Sequence, residues 1–121
     1  MLNIEEKTKA VVDALEDIKA EDIAVIDTSK LSPLFERMVI ASAKSTRQTK
    51  AIADNVVVKL KERGEQVFGR EGEDGGEWIL IDLGEVLVHV MQPAVRQYYN
   101  LEELWTKGQA LRPKLAAQKP E

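Results

Sequence analysis

Residues 77–91, EWILIDLGEVLVHVM, can be registered as a β-hairpin from the sequence alone, and that register limits what the rest of the chain can build around it. Two apolar runs flank Gly84-Glu85, a two-residue loop with glycine first, where a type II′ turn needs a positive φ. Counting outward without a bulge pairs Leu83 with Val86, Asp82 with Leu87, Ile81 with Val88, Leu80 with His89, Ile79 with Val90 and Trp78 with Met91. Side chains alternate across a strand, and cross-strand partners share a face. One face of the hairpin is therefore purely aliphatic: Ile79, Ile81, Leu83, Val86, Val88 and Val90. The other carries Trp78, Leu80, Asp82, Leu87, His89 and Met91. The first reads as core. The second mixes an indole, a thioether, a carboxylate and the chain's single histidine, which suits an interface better than a sealed interior.

A chain of 121 residues with 44% apolar and 31% charged residues has the length and composition of one soluble α/β domain. Residues 1–107 form that domain, and 108–121, with two prolines and no periodicity, read as a tail. The absence of cysteine removes disulfides, thiolate zinc sites and thiol catalysis, and fits a reducing cytosol. No run is long enough to span a membrane, and the first residues lack a leader's pattern, so the expected compartment is the bacterial cytoplasm. The net charge of −4 is unevenly placed: residues 1–43 and 71–121 each hold five Lys/Arg against nine Asp/Glu, whereas 44–70 hold seven against three. Such a chain is not a general nucleic-acid binder, but it suits a basic protein partner and a local phosphate contact through its middle segment.

Ile4, Val11, Leu15 and Ile18 recur at helical spacing over residues 3–19. Ile23–Asp27 reads as a strand covered on both sides, and Met38–Ala43 as a second buried strand. Ser45 and Gln48 form an S-x-x-Q capping box ahead of a helix whose apolar face is Ile52, Val56 and Leu60, and Gly64 closes it. Gln66–Arg70 reads as a third strand, followed by an acidic turn, EGEDGGE. After the hairpin, Pro93 suits the first helical position, and Asn100 breaks the helix before it resumes through Trp105, with Gly108 to end it. The order α-β-β-α-β-β-β-α implies a mixed, about five-stranded sheet with helices mainly on one face and part of the other face free.

Catalytic readings of these residues run out. The acidic turn lacks the ligand spacing of a calcium loop. Gly75-Gly76 ahead of Asp82 has the flavour of a nucleotidyltransferase, but two-metal chemistry needs converging carboxylates and the hairpin supplies one. His89 and Asp82 share a face without a nucleophile. Neither a metal nor a cofactor is expected. Lys44, Arg47 and Lys50 gather at the start of the second helix, as a solvated end or as a phosphate contact.

With these residues identified, the chain resembles the ribosomal silencing factor (iojap-like) family. The likeness rests on Asp22-Ile23, Asp27, FERMVIASAKSTRQTKAIADNV at Phe35–Val56, Gly76-Glu77-Trp78, Asp82-Leu83-Gly84, Val88-His89-Val90, Arg96, Tyr99, Leu101-Glu102 and Leu104-Trp105. It implies a nucleotidyltransferase-like topology without that fold's active site, and a regulator rather than an enzyme. Family members bind the large ribosomal subunit through its fourteenth ribosomal protein and block subunit joining under nutrient limitation, and homodimers are described. Carried onto this chain, the contacts would be Trp78, Leu80, Asp82, His89 and Met91, with Arg96 and Tyr99 at the edge. For Lys44, Arg47 and Lys50 the phosphate alternative would then be a peripheral contact with ribosomal RNA, and the solvated helix end stays open beside it. A nucleotidyltransferase-like enzyme and a homodimerisation module using the Trp78 face remain the alternatives.

Overall fold

The computed structural model describes residues 2–106, so Gly108 and the expected tail from 108 onward lie outside the described residues. Helix α1 (Ile4–Asp17) begins at a reciprocal cap: Asn3 Oδ1 accepts from the Glu6 N–H at 2.8 Å, and Glu6 Oε1 accepts from the Asn3 N–H at 3.0 Å. Strands β1 (Glu21–Asp27) and β2 (Arg37–Ser42) pair antiparallel. Helix α2 (Thr46–Glu62) follows, capped by Ser45 Oγ, which accepts from the Gln48 N–H at 3.1 Å. The expected reciprocal bond is absent: Gln48 Oε1 accepts from the Lys44 N–H at 3.4 Å, while its amide reaches the Ile18 carbonyl. Gly64, at φ +83°, takes the left-handed position that ends the helix. Strand β3 is short and later than the pattern suggests, Gly69–Glu71, and precedes β4 (Trp78–Asp82) and β5 (Val86–Met91).

The hairpin register is the one counted from the turn: Trp78 opposite Met91, Leu80 opposite His89, Asp82 opposite Leu87. Gly84 has φ +89° and Glu85 has no positive φ, as a II′ turn requires, and the Leu83 N–H donates to the Val86 carbonyl at 2.9 Å. The five strands lie in the order β1-β2-β5-β4-β3, with β2 and β5 parallel and every other pair antiparallel. Helix α2 is thus a crossover that carries the chain past two vacant positions, which the hairpin then fills. Pro93 opens α3 (Pro93–Tyr99); Asn100, at φ 50°, breaks it; and α4 (Leu101–Thr106) follows.

Helices α1 and α2 cover the aliphatic face. Val11, Leu15, Ile52, Val56 and Leu60 meet Val39, Ile79, Ile81, Leu83, Val86, Val88 and Val90, all at 0% exposure. Each such side chain contributes roughly 1.5–3 kcal/mol over an exposed one, so this layer is the main source of stability. A smaller core lies on the opposite face, where Ile26, Met38, Ile40 and Met91 are covered by Phe35, Val95, Leu101 and Trp105 from α3, α4 and the β1–β2 connection. Strand β1 departs from expectation. It is an edge strand, with Val25 48% exposed, and not a strand covered on both sides. Its apolar run leads away from an irregularity between Glu21 and Ala24, where Asp22 has φ 50°; such a bulge blunts an edge against adventitious pairing.

Candidate docking face

Helices α3 and α4 close the second core over β1, β2 and the end of β5, and among the described residues the β4–β3 side of that face is left open. Trp78 stands at the boundary. Its Nε1–H donates to His89 Nδ1 at 2.9 Å, and the two ring centroids are 5.9 Å apart. The Tyr99 ring centroid lies 4.8 Å from that of the indole, and Tyr99 is 46% exposed. Tyr98, 82% exposed, meets Tyr99 edge-on at 5.0 Å. The half-buried indole separates two shallow hollows. One, about 240 Å³, is lined by Glu71, Gly72, Trp78 and Leu80; the other, about 330 Å³, lies toward Glu77, Val95 and Tyr99.

The sequence-derived residues share this region but do not share one role. Trp78, Leu80 and Asp82 reach the surface in part. Asp82 Oδ1 also accepts from the Gly84 N–H at 2.8 Å, so its carboxylate stiffens the turn. Met91 is fully buried and His89 is 6% exposed, which places both beneath the surface rather than on it. Burial holds the His89 imidazole neutral, its pKa pulled down from 6.5 to about 4. With Nδ1 accepting from the indole, the proton belongs on Nε2, which is buried and has no partner among the described residues. Arg96 is also occupied. Its Nε and Nη2 donate to the two Glu102 carboxylate oxygens at 2.8 and 3.0 Å, and its Nη1 donates to Ser42 Oγ at 2.7 Å. Those Arg96 bonds hold the Glu102 carboxyl below its usual value of 4.5, and they tie α3 and α4 to β2.

Sequence reasoning missed two members of the face. Tyr98 was signalled by the Tyr98-Tyr99 doublet, but a seven-residue helix has too few turns for periodicity to orient it. Glu71 comes from β3, opposite Leu80, and so stands on the same face diagonally from Asp82. Among the described residues, however, no group of three His, Cys, Asp or Glu side chains is placed to hold a metal ion.

Lys44, Arg47 and Lys50 are exposed at the start of α2, whose first turn contains no acid. Lys44 Nζ comes only within 3.9 Å of Glu21. The basic cluster abuts the aromatic face. Gln92 Nε2 donates to the Lys44 carbonyl at 3.1 Å, the Gln92 N–H donates to the Glu77 carbonyl at 2.9 Å, and Thr49 Oγ1 donates to the Gly76 carbonyl.

Comparison with known proteins identifies the scaffold. The family model described as "Ribosomal silencing factor during starvation" matches residues 2–121. Ribosomal silencing factor RsfS of Chromobacterium violaceum is 55% identical over 104 residues, covering 86% of this chain and 85% of the relative. The protein of the same name from Haemophilus influenzae is 38% identical over 95 residues, covering 78% and 93%. A crystal structure of a protein from Chromobacterium violaceum superposes with a TM-score of 0.86 at 51% identity, covering 99% of this chain and 92% of that one. A likeness in sequence and fold over nearly the whole chain leaves one conclusion: the chain belongs to the ribosomal silencing factor family.

Proposed function

We propose that this protein docks on the large ribosomal subunit, through its fourteenth ribosomal protein, and thereby prevents the small subunit from joining. A ribosomal silencing role follows from the family; the partner, the steric mechanism and repression under nutrient limitation are the finer reading. The observation that carries it is a patch in which the partly exposed Trp78 and Leu80, on a hairpin whose opposite side is sealed in the main core, meet the exposed Tyr98 and Tyr99 of α3. Aromatic anchors beside hollows, on a rigid element, are what a protein interface needs for its central contacts. A net charge of −4 favours encounter with a basic ribosomal protein. The mechanism is occupancy without chemistry, in the bacterial cytoplasm where ribosomes join.

Large subunits saturated with the protein should fail to form whole ribosomes when small subunits are added, as read by light scattering or gradient profile. Normal joining at saturating occupancy would refute the steric mechanism. Lys44, Arg47 and Lys50 are assigned to peripheral ribosomal RNA phosphates beside that protein contact. Changing all three to Glu should weaken subunit binding and flatten its dependence on salt, the slope falling by up to about three phosphate equivalents. An unchanged slope would return these residues to the solvated helix end.

A further inference from the structure

We infer that His89 is a positioning residue: from beneath the docking face it fixes the orientation of the Trp78 indole and does not itself touch the partner. The inference rests on the docking role of Trp78 proposed above. Its basis is a side chain that is poorly explained by stability. Along β5 the neighbours Val88, Val90 and Met91 are fully buried and apolar, yet position 89 holds an imidazole at 6% exposure. Among the described residues no acceptor meets its buried Nε2–H, and an unmet buried donor is destabilising. An aliphatic residue would avoid the penalty and fill the same layer beside Ile40 and Leu80, which flank it in the neighbouring strands.

What the imidazole provides is one acceptor, Nδ1, and that acceptor is used by Trp78 Nε1–H at 2.9 Å. The bond runs across the hairpin on a diagonal, since Trp78 is paired with Met91 and His89 with Leu80. Tyr99 adds a second aromatic contact to the indole, its ring centroid 4.8 Å away. The indole forms a shared wall of both hollows, so its rotation sets the shape of each. A ring held by a hydrogen bond at its edge and an aromatic contact on its flank is ordered before the partner arrives, and less freedom is lost on docking. At neutral pH the imidazole is uncharged, which keeps Nδ1 available as an acceptor.

His89→Leu and His89→Asn separate positioning from packing. Leucine removes both the acceptor and the orphan donor; asparagine restores an acceptor close to where Nδ1 stood. His89→Leu should melt at or above the wild-type temperature while binding large subunits about tenfold more weakly, the equivalent of one lost hydrogen bond. Its Trp78 indole N–H, assigned by NMR against a Trp105→Phe variant, should exchange with solvent roughly tenfold faster. His89→Asn should recover part of both losses. Wild-type affinity in His89→Leu, or affinity that merely follows melting temperature across both variants, overturns the positioning role. If Trp78→Ala itself binds as wild type, the docking reading fails instead. Indole exchange then decides alone, and an unchanged rate in His89→Leu overturns the positioning.

Discussion

Trp78→Ala is expected to leave the protein folded and to remove its co-sedimentation with large ribosomal subunits. Two separate stores of energy meet at this residue. On the inner side of β4, Ile79 and Ile81 are at 0% exposure in the main core, and their packing does not involve the indole. On the outer side Trp78 packs only at the margin of the smaller core, half-buried beside Tyr99. Truncation there costs stability by about 1–3 kcal/mol, below the range for a fully buried aromatic, because part of the ring already faces water. The helical and sheet content should be retained. Binding should suffer more, because a central aromatic anchor contributes about 2 kcal/mol or more, roughly thirtyfold or greater in affinity. Sucrose-gradient co-sedimentation beside a thermal melt measures both quantities. Co-sedimentation of the folded variant at wild-type affinity would move the docking surface elsewhere on the molecule.

The parts of this face that could be read in advance share one property: they depend on local periodicity. The hairpin register follows from a glycine-first turn and a side-chain period of two, and both persist whatever the strands pack against. The second helix was legible from Ser45 and Gly64 for the same reason. Alternation assigns a residue to a face, but it cannot say what covers that face. His89 and Met91 were placed on the correct side but lie beneath the surface: Met91 is covered from α3 and α4, distant in sequence from β1 and β2, and the Trp78 indole lies against His89. The apolar run IAVID misled in the opposite direction. It has the composition of a central strand, yet the strand order puts it at an edge, and order is decided by long-range pairing. Arg96 was expected at the edge of the face, but its pairing with Glu102 of α4 follows no local period and was not legible. The partner could not be read from these residues at all. It entered through family resemblance, and the physical reading supplied only the kind of surface such a partner would meet.

The hairpin is held from its core side by a buried charge, and breaking that charge should give the largest loss of stability. Lys7, on α1, places Nζ 2.6 Å from the Leu83 carbonyl, 3.0 Å from Glu65 Oε1 and 3.2 Å from Glu85 Oε1. The Lys7 and Glu65 side chains are only 5% and 4% exposed. Glu65 Oε2 accepts from the Leu2 N–H at 2.9 Å, so one carboxylate joins the chain's first turn, α1 and the approach to β3. Lys7→Met keeps the aliphatic stem but strands the Glu65 carboxylate and the Leu83 carbonyl. Removing one partner of a buried pair costs about 3–5 kcal/mol, whereas replacing both by apolar groups is close to neutral. Lys7→Met should therefore melt roughly 10–25 °C lower at neutral pH, and Lys7→Met combined with Glu65→Leu should recover part of that loss, since the charge is no longer stranded but the Leu83 carbonyl and the Leu2 N–H still lack these partners. Acidity supplies an independent check. The Leu2 N–H, with Lys7 second among the favourable causes, holds the folded Glu65 carboxyl below its usual 4.5. This stabilisation is fully present above that value and is lost as pH falls through the lower folded one. The deficit of Lys7→Met relative to wild type should then shrink as pH falls from neutral toward the lowered wild-type value, because the stranded carboxylate takes up a proton before the paired one does. Equal melting temperatures for Lys7→Met and wild type at neutral pH would mean that water, and not the ammonium, satisfies Glu65, and that the hairpin turn stands without its tie to α1.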